Sequence, residues 1–152
     1  MAANSRRERI ILAQKVILEG LSSINHVQRK QPSSLSELEQ YPITQMPLLA
    51  LVTGLPSPQN KTRGRKPGGP DFFHSELVSK VYCYGQDKIT PDTTISSLLD
   101  DIWSALHSNQ TLGLKFVTSC IISPGVETGI WDPYYSFVVE CKYMYYHTTG
   151  GI

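Results

Sequence analysis

Residues 134–147 read Tyr-Tyr-Ser-Phe-Val-Val-Glu-Cys-Lys-Tyr-Met-Tyr-Tyr-His, and this stretch decides the fold. Tyr135, Phe137, Val139, Cys141, Tyr143 and Tyr145 take alternate positions, and Ser136, Val138, Glu140, Lys142, Met144 and Tyr146 take those between. Side chains of a strand alternate between its faces, so a period of two held this long predicts one long β-strand. Just upstream, residues 115–122 predict a second strand.

Further back the period changes. Ile95, Leu98, Leu99, Ile102 and Leu106 fall at i, i+3, i+4, i+7 and i+11, the stripe of an amphipathic helix. Asp92, Thr93 or Thr94 caps its start, while Asp100, Asp101 and Ser104 face away. Residues 73–85 regain strand character through Val78, Val81, Tyr82, Cys83 and Tyr84. Leu48-Leu-Ala-Leu-Val-Thr53 is an apolar run between Pro and Gly, which predicts a strand covered on both faces. In residues 32–46, Ser33 or Ser34 caps a short turn through Leu35, Leu38 and Glu39, ended by Pro42 and Pro47. Residues 24–31 are polar enough for an edge strand. At the N-terminus Ser5 and Glu8 form a capping box. Ile10, Ile11, Val16, Ile17, Leu18 and Leu21 then predict a helix buried on more than one side, stopped at Gly20.

The expected order is α-β-β-β-α-β-β. It describes an α+β domain, a mostly antiparallel sheet with two main helices on one face, over residues 1–147 with a tail at 148–152. The chain of 152 residues suits one domain with a sizeable core. Charged residues are only 18% and net charge is +1, so bulk electrostatics recruit no polyanion and a charge-poor surface favours association. Cys83, Cys120 and Cys141 form no CxxC pair, and no leader segment is read before residue 10, so free thiols in a reducing cytoplasm are expected. The apolar runs fall far short of the roughly 20 residues of a membrane span.

No constellation points to catalysis, a metal or a cofactor. Asp100 and Asp101 are neighbours on a helix and point apart, unlike a carboxylate pair sharing a proton. His26, His74, His107 and His147 lack ligand spacing, and Cys141 and His147 are read as facing opposite ways on the last strand. Phosphate-loop, dinucleotide and nucleophile-elbow glycine patterns are absent.

Two features remain. Residues 56–70 predict a solvated Pro/Gly-rich loop carrying Lys61, Arg63, Arg65 and Lys66 without a negative charge. Its Arg63-Gly-Arg65-Lys-Pro67 distantly resembles a minor-groove AT-hook, with Lys66 inserted before the proline. A solvated turn, a nucleic-acid contact and an arm on a neighbouring protein all fit. A smaller basic group, Arg6, Arg7 and Arg9, is explained by solvation. The second feature is aromatic: Trp131, Tyr134, Tyr135, Tyr143, Tyr145 and Tyr146 crowd the final strand and are candidates for a protein interface.

These elements come in a familiar order. The capped N-terminal helix is followed by Ser34-Leu-Ser-Glu-Leu-Glu-Gln-Tyr-Pro42 leading into Leu48-Leu-Ala-Leu-Val52, then by Val81-Tyr-Cys-Tyr84. Thr94-Ile-Ser-Ser-Leu-Leu-Asp-Asp-Ile-Trp103 and the aromatic strand 134–146 complete it. In this the chain resembles the tail terminator (tail completion) proteins of long-tailed bacteriophages, over about residues 5–147, by order and spacing and without a diagnostic motif. The resemblance implies a virion neck or tail protein assembled in the host cytoplasm, with no catalytic residues and no cofactor. It implies a homo-oligomeric ring, usually a hexamer, that caps the tail tube protein and docks on the head connector, with DNA crossing its channel. The basic loop is longer than that family leads one to expect. A rival reading is a small nucleic-acid-binding protein using residues 61–66.

The helical stripe yields a test. Leu99→Ala and Ile102→Ala should each cost about 2–5 kcal/mol, and Asp100→Ala or Asp101→Ala about 0.5 kcal/mol or less, by urea denaturation. Equal losses at all four would refute the stripe.

Overall fold

The computed structural model describes residues 5–53, 60–65, 71–131 and 133–148, and of 60–65, 71–74, 129–131 and 147–148 the backbone course. Along the chain run α1 (Arg6–Glu19), β1 (His26–Gln28), α2 (Leu35–Glu39), a 3₁₀ turn (Ile43–Gln45), β2 (Leu48–Thr53) and β3 (Asn60–Arg65). They are followed by β4 (Asp71–Gln86), α3 (Pro91–His107), β5 (Val117–Ile122), β6 (Val126–Trp131) and β7 (Tyr134–Thr148).

β4 and β7 pair antiparallel from Phe72↔Thr148 to Gln86↔Tyr134 and form a long central ribbon. Each has a second edge, and two short strands share it end to end. β2 covers Ser79 to Tyr84 of β4, and β3 covers Asp71 to Ser75. On β7, β5 covers Cys141 to Tyr145 and β6 covers Tyr134 to Val138. β1 adds to β2 in parallel, as the edge strand expected near residues 24–31. The result is a seven-stranded, mostly antiparallel sheet in an α+β fold.

The alternation read from β7 is the burial observed. Tyr135, Phe137, Val139, Cys141, Tyr143 and Tyr145 are all buried, packed with Leu77, Val81 and Cys83 of β4 beneath α1 and α3. The helical stripe is buried at Ile95, Leu98, Ile102 and Leu106. Leu99 is only partly buried. It lies over Gly125 (φ +100°), where a Cβ would sit 2.4 Å from its Cδ2, so the loss at Leu99→Ala should fall at the low end of its range. Leu49 and Leu51 of β2 face the main core while Leu48 and Ala50 face a second cluster, so this strand is covered on both faces as its composition requires.

Several expectations need correction. The two main helices, α1 and α3, do share one face; the short α2, unexpectedly, packs Leu38 on the opposite face, with Met46, Leu48, Ala50 and Tyr84. β3 lies within what reads as a solvated loop, and β6 within a linker. Both strands join the ribbon through main-chain bonds, which composition does not reveal. β7 runs through Thr148, one residue into the expected tail. α1 is buried on one side only. Val16 is 69% exposed, whereas Gln14 is buried against the sheet.

Gln14 shows why a polar residue holds a core position. Ser79 Oγ donates to its Oε1 at 2.7 Å, and its Nε2 donates to the Tyr143 hydroxyl at 3.0 Å. A buried amide left unpaired is costly; paired on both sides, this one fixes α1 above β4 and β7.

The helix starts differ in detail from their sequence signals. Ser5 Oγ accepts from Glu8 N at 3.2 Å, but the Glu8 carboxylate pairs with Arg29 at 2.7 Å and leaves the capping box half made. Pro91 occupies the first turn of α3, where a missing N–H costs nothing. Its preceding turn is organised by Asp87, which accepts from Ile89 N and Thr90 N at 2.9 and 3.0 Å and from the Thr94 hydroxyl. The N-cap position is Thr90, so none of Asp92, Thr93 and Thr94 is the cap.

Gly85 lies opposite Tyr135 on the ribbon, and a Cβ there would come 2.1 Å from the Tyr135 hydroxyl. Tyr135 is 2% exposed and has nowhere to swing. Gly85→Ala should therefore destabilise the fold by about 1–3 kcal/mol, an overpacking loss read from the urea midpoint. An unchanged midpoint would show that the ring yields.

Candidate interaction surface

The even positions of β4 and β7 form the second face of the sheet. Tyr82, Tyr84 and Tyr134 lie at one end of it, where the α2 cluster packs. The rings of Tyr82 and Tyr84 stack with centroids 6.4 Å apart, and Gln31 Nε2 donates to the Tyr84 hydroxyl at 2.7 Å. Beyond that cluster stand Val78, Lys80, Val138, Glu140, Lys142, Met144 and Tyr146, the Lys80 and Glu140 positions directly opposed. Ile121 of β5 and Val126 of β6 flank them, 66% and 62% exposed. Apolar side chains at that exposure on a sheet face gain by being covered.

The strand edges are less inviting. β1 has three residues. β5 shifts register between Val117 and Ser119, and β6 between Glu127 and Gly129. Short or bulged edges resist further strand pairing. The broad available surface is the sheet face.

The aromatic candidates divide accordingly. Tyr135, Tyr143 and Tyr145 are 2%, 1% and 6% exposed and belong to the domain's own core, which corrects their reading as interface residues. Burial pushes the hydroxyls of all three above the usual tyrosine range. Their odd positions put them under the helices. Tyr146 is 38% exposed on the second face and Tyr134 is half-buried against the α2 cluster. Trp131 ends β6 opposite Tyr134. Missed in the sequence were Ile121 and Val126, since an isolated apolar residue on a short strand carries no periodic signal.

Among the basic candidates, Lys61, Arg63 and Arg65 lie on β3, and Lys66 falls outside the described residues. β3 sits at the end of the sheet where β4 begins and β7 finishes. The N-terminus of α1 reaches the same end: an Arg6 guanidinium N–H donates to the Tyr146 carbonyl. The guanidinium carbons of Arg6 and Arg9 lie 4.9 and 4.8 Å from the Phe116 ring centre. Two basic groups far apart in sequence thus share one end of the sheet.

Elsewhere the chemistry is quiet. The three cysteines are free and buried. Burial pushes the Cys83 thiol up, and contact with Cys120 followed by burial does the same to Cys141. Cys141 and His147 have the same parity on β7, contrary to the sequence reading; six residues, about 20 Å of strand, separate them. Asp100 and Asp101 are exposed, and Asp101 accepts from Ser23 Oγ at 3.0 Å. A cleft of about 320 Å³ between α1 and β1 is lined by Lys15, Glu19, Ile24, Asn25, His26 and Val27. Among the described residues no group of three or more His, Cys, Asp or Glu is placed to hold a metal, and no helix is long and apolar enough to cross a membrane.

One carboxylate beside the second face is strongly perturbed. Glu37 is held at about 2 by the Ser33 hydroxyl first and the Ser33 backbone N–H next. A depressed folded value stabilises α2 above the ordinary carboxylate range and is lost as pH falls toward 2. Carboxylate NMR should find Glu37 titrating near 2, and Ser33→Ala should return it toward 4.5. An ordinary midpoint in the unaltered chain would refute the contact.

No protein-family model matches the chain, and no curated protein does.

Proposed function

We propose that this chain is a structural, non-enzymatic ring subunit of a phage neck or tail, capping the tail tube and joining it to the head connector. The observation that carries the reading is the open second face of the central ribbon. It pairs exposed Ile121, Val126 and Tyr146 with opposed charges at Lys80 and Glu140, while the adjoining edges are blunted. A protein that works through repeated contacts needs such a surface, backed by a rigid core. In a closed ring each patch can be modest, because symmetry repeats it and the ring adds the contacts. The sequence resemblance to tail terminators points the same way, toward a hexamer with the tube on one side and the connector on the other.

Ile121→Lys and Val126→Lys place charge on exposed positions and should change stability by about 0.5 kcal/mol or less. Together they should prevent ring formation on tail tubes, seen by native mass spectrometry of tube-bound protein and by electron microscopy of tails. Rings of normal occupancy with both substitutions would exclude this face as the subunit contact. A single asymmetric copy per tail in the unaltered protein would end the ring reading itself.

A further inference from the structure

We propose that the outer face of α1 is the contact surface for a second copy of this chain, the two helices lying antiparallel across a two-fold axis. The inference does not depend on the ring reading. A ring closes through heterologous contacts, whereas this contact is isologous. It also lies on the helical side of the sheet, away from the open second face.

Within α1 the exposed residues are Arg9, Leu12, Val16 and Glu19. Their spacing of three, four and three residues places all four on one stripe, the kind of seam along which one helix packs another. The stripe lies opposite the buried one of Ile10, Ile11, Gln14 and Leu18. Leu12 is 38% exposed and Val16 69%. On the same side of the sheet, α3 turns Asp100, Asp101 and Ser104 to solvent, and its exposed Trp103 stacks on His107. An outward aliphatic pair is therefore particular to α1, and such a surface gains by being covered.

The charges at the ends of the stripe identify what covers it. Arg9 stands three residues before Leu12 and Glu19 three residues after Val16, so reversing the stripe exchanges the charge signs. Two such helices placed antiparallel, with the axis level with Gln14, bring Leu12 against the partner's Val16 and Arg9 against the partner's Glu19. The symmetry makes each contact twice. A parallel pairing sets Arg9 on Arg9 and Glu19 on Glu19, and like charges in contact are unfavourable. The stripe is about 15 Å long, and Arg and Glu side chains bridge the roughly 8–10 Å between packed helix axes.

Both charges are placed for such a partner. Among the described residues neither Arg9 nor Glu19 makes an ion pair, although Lys15 lines the same cleft as Glu19. Arg9 rests on Phe116, which leaves N–H donors along the guanidinium rim. Glu19 ends α1, where the helix presents partial negative charge, and a second copy's guanidinium beside it relieves that conflict. One helix face is a small interface, so association is weak, with a dissociation constant on the order of 10⁻⁴ M.

The test is sedimentation equilibrium of the full chain, from about tenfold below to about tenfold above that concentration. The mean mass should rise from 17.0 kDa toward twice that value. Leu12→Ser with Val16→Ser should weaken association by about tenfold or more. Arg9→Glu and Glu19→Arg should each weaken it by about threefold to tenfold. An equimolar mixture of those two variants should recover it, and so should the chain carrying both substitutions, because each restores opposite charges across the axis. Ile121→Lys with Val126→Lys should leave it unchanged, which separates this contact from the open face. Circular dichroism melts confirm that the variants fold. A monomer at every concentration overturns the proposal. So does association that survives the Leu12 and Val16 double variant, that is lost in the Ile121 and Val126 double variant, or that charge exchange fails to rescue.

Discussion

The ladder between β4 and β7 constrains everything else in the molecule. Because its register runs unbroken from Phe72↔Thr148 to Gln86↔Tyr134, odd residues of both strands face one way along the whole ribbon. A slip of one residue would turn Phe137, Val139 and Tyr143 outward and bring Glu140 and Lys142 in. The odd face is the one that receives α1 and α3 together. Helix placement, core composition and the identity of the exposed face all follow from that register.

The same constraint explains why the second face is open. Two helices are committed to the odd face, and among the described residues the short α2 covers one end of the even face, where Leu48, Ala50, Tyr82, Tyr84 and Tyr134 pack. Val78, Val138 and Met144 are left half-buried, with Ile121 and Val126 more exposed still. Opposed Lys80 and Glu140 keep that face mixed in charge. Such a surface is apolar enough to gain from contact and polar enough to remain in water between encounters.

Strong periodicity was legible and main-chain pairing was not. The alternation of 134–147 and the stripe from Ile95 to Leu106 were read correctly, because each repeats long enough to exclude the other period. Leu48–Thr53 was equally clear, since a continuous apolar run needs cover on both sides. β3 escaped notice because Asn60-Lys-Thr-Arg-Gly-Arg65 has no apolar alternation; its strand character comes from β4. The buried tyrosines were ambiguous for a different reason. Tyrosine suits a core and an interface alike, and only the face on which the helices dock decides between them. Gln14 was invisible as a core residue, its partners Ser79 and Tyr143 lying 65 and 129 positions away.

That buried amide also bears on the surface. Gln14 bonds at once to β4 through Ser79 and to β7 through Tyr143, and neither bond survives a turn of α1 about its axis. One residue of rotation is about 100°, which would remove the amide from both partners and leave polar atoms buried unpaired. The rotation of α1 is therefore fixed from within the core. Arg6 and Arg9 lie on the same helix, one to two turns before Gln14, so the same bonds decide where their guanidinium groups emerge. Phe116 then receives both of them, and Phe116 is itself held by its carbonyl, which accepts from Tyr146 N at 2.9 Å. A polar contact at the centre of the sheet thus sets where the guanidinium groups of Arg6 and Arg9 emerge at its end.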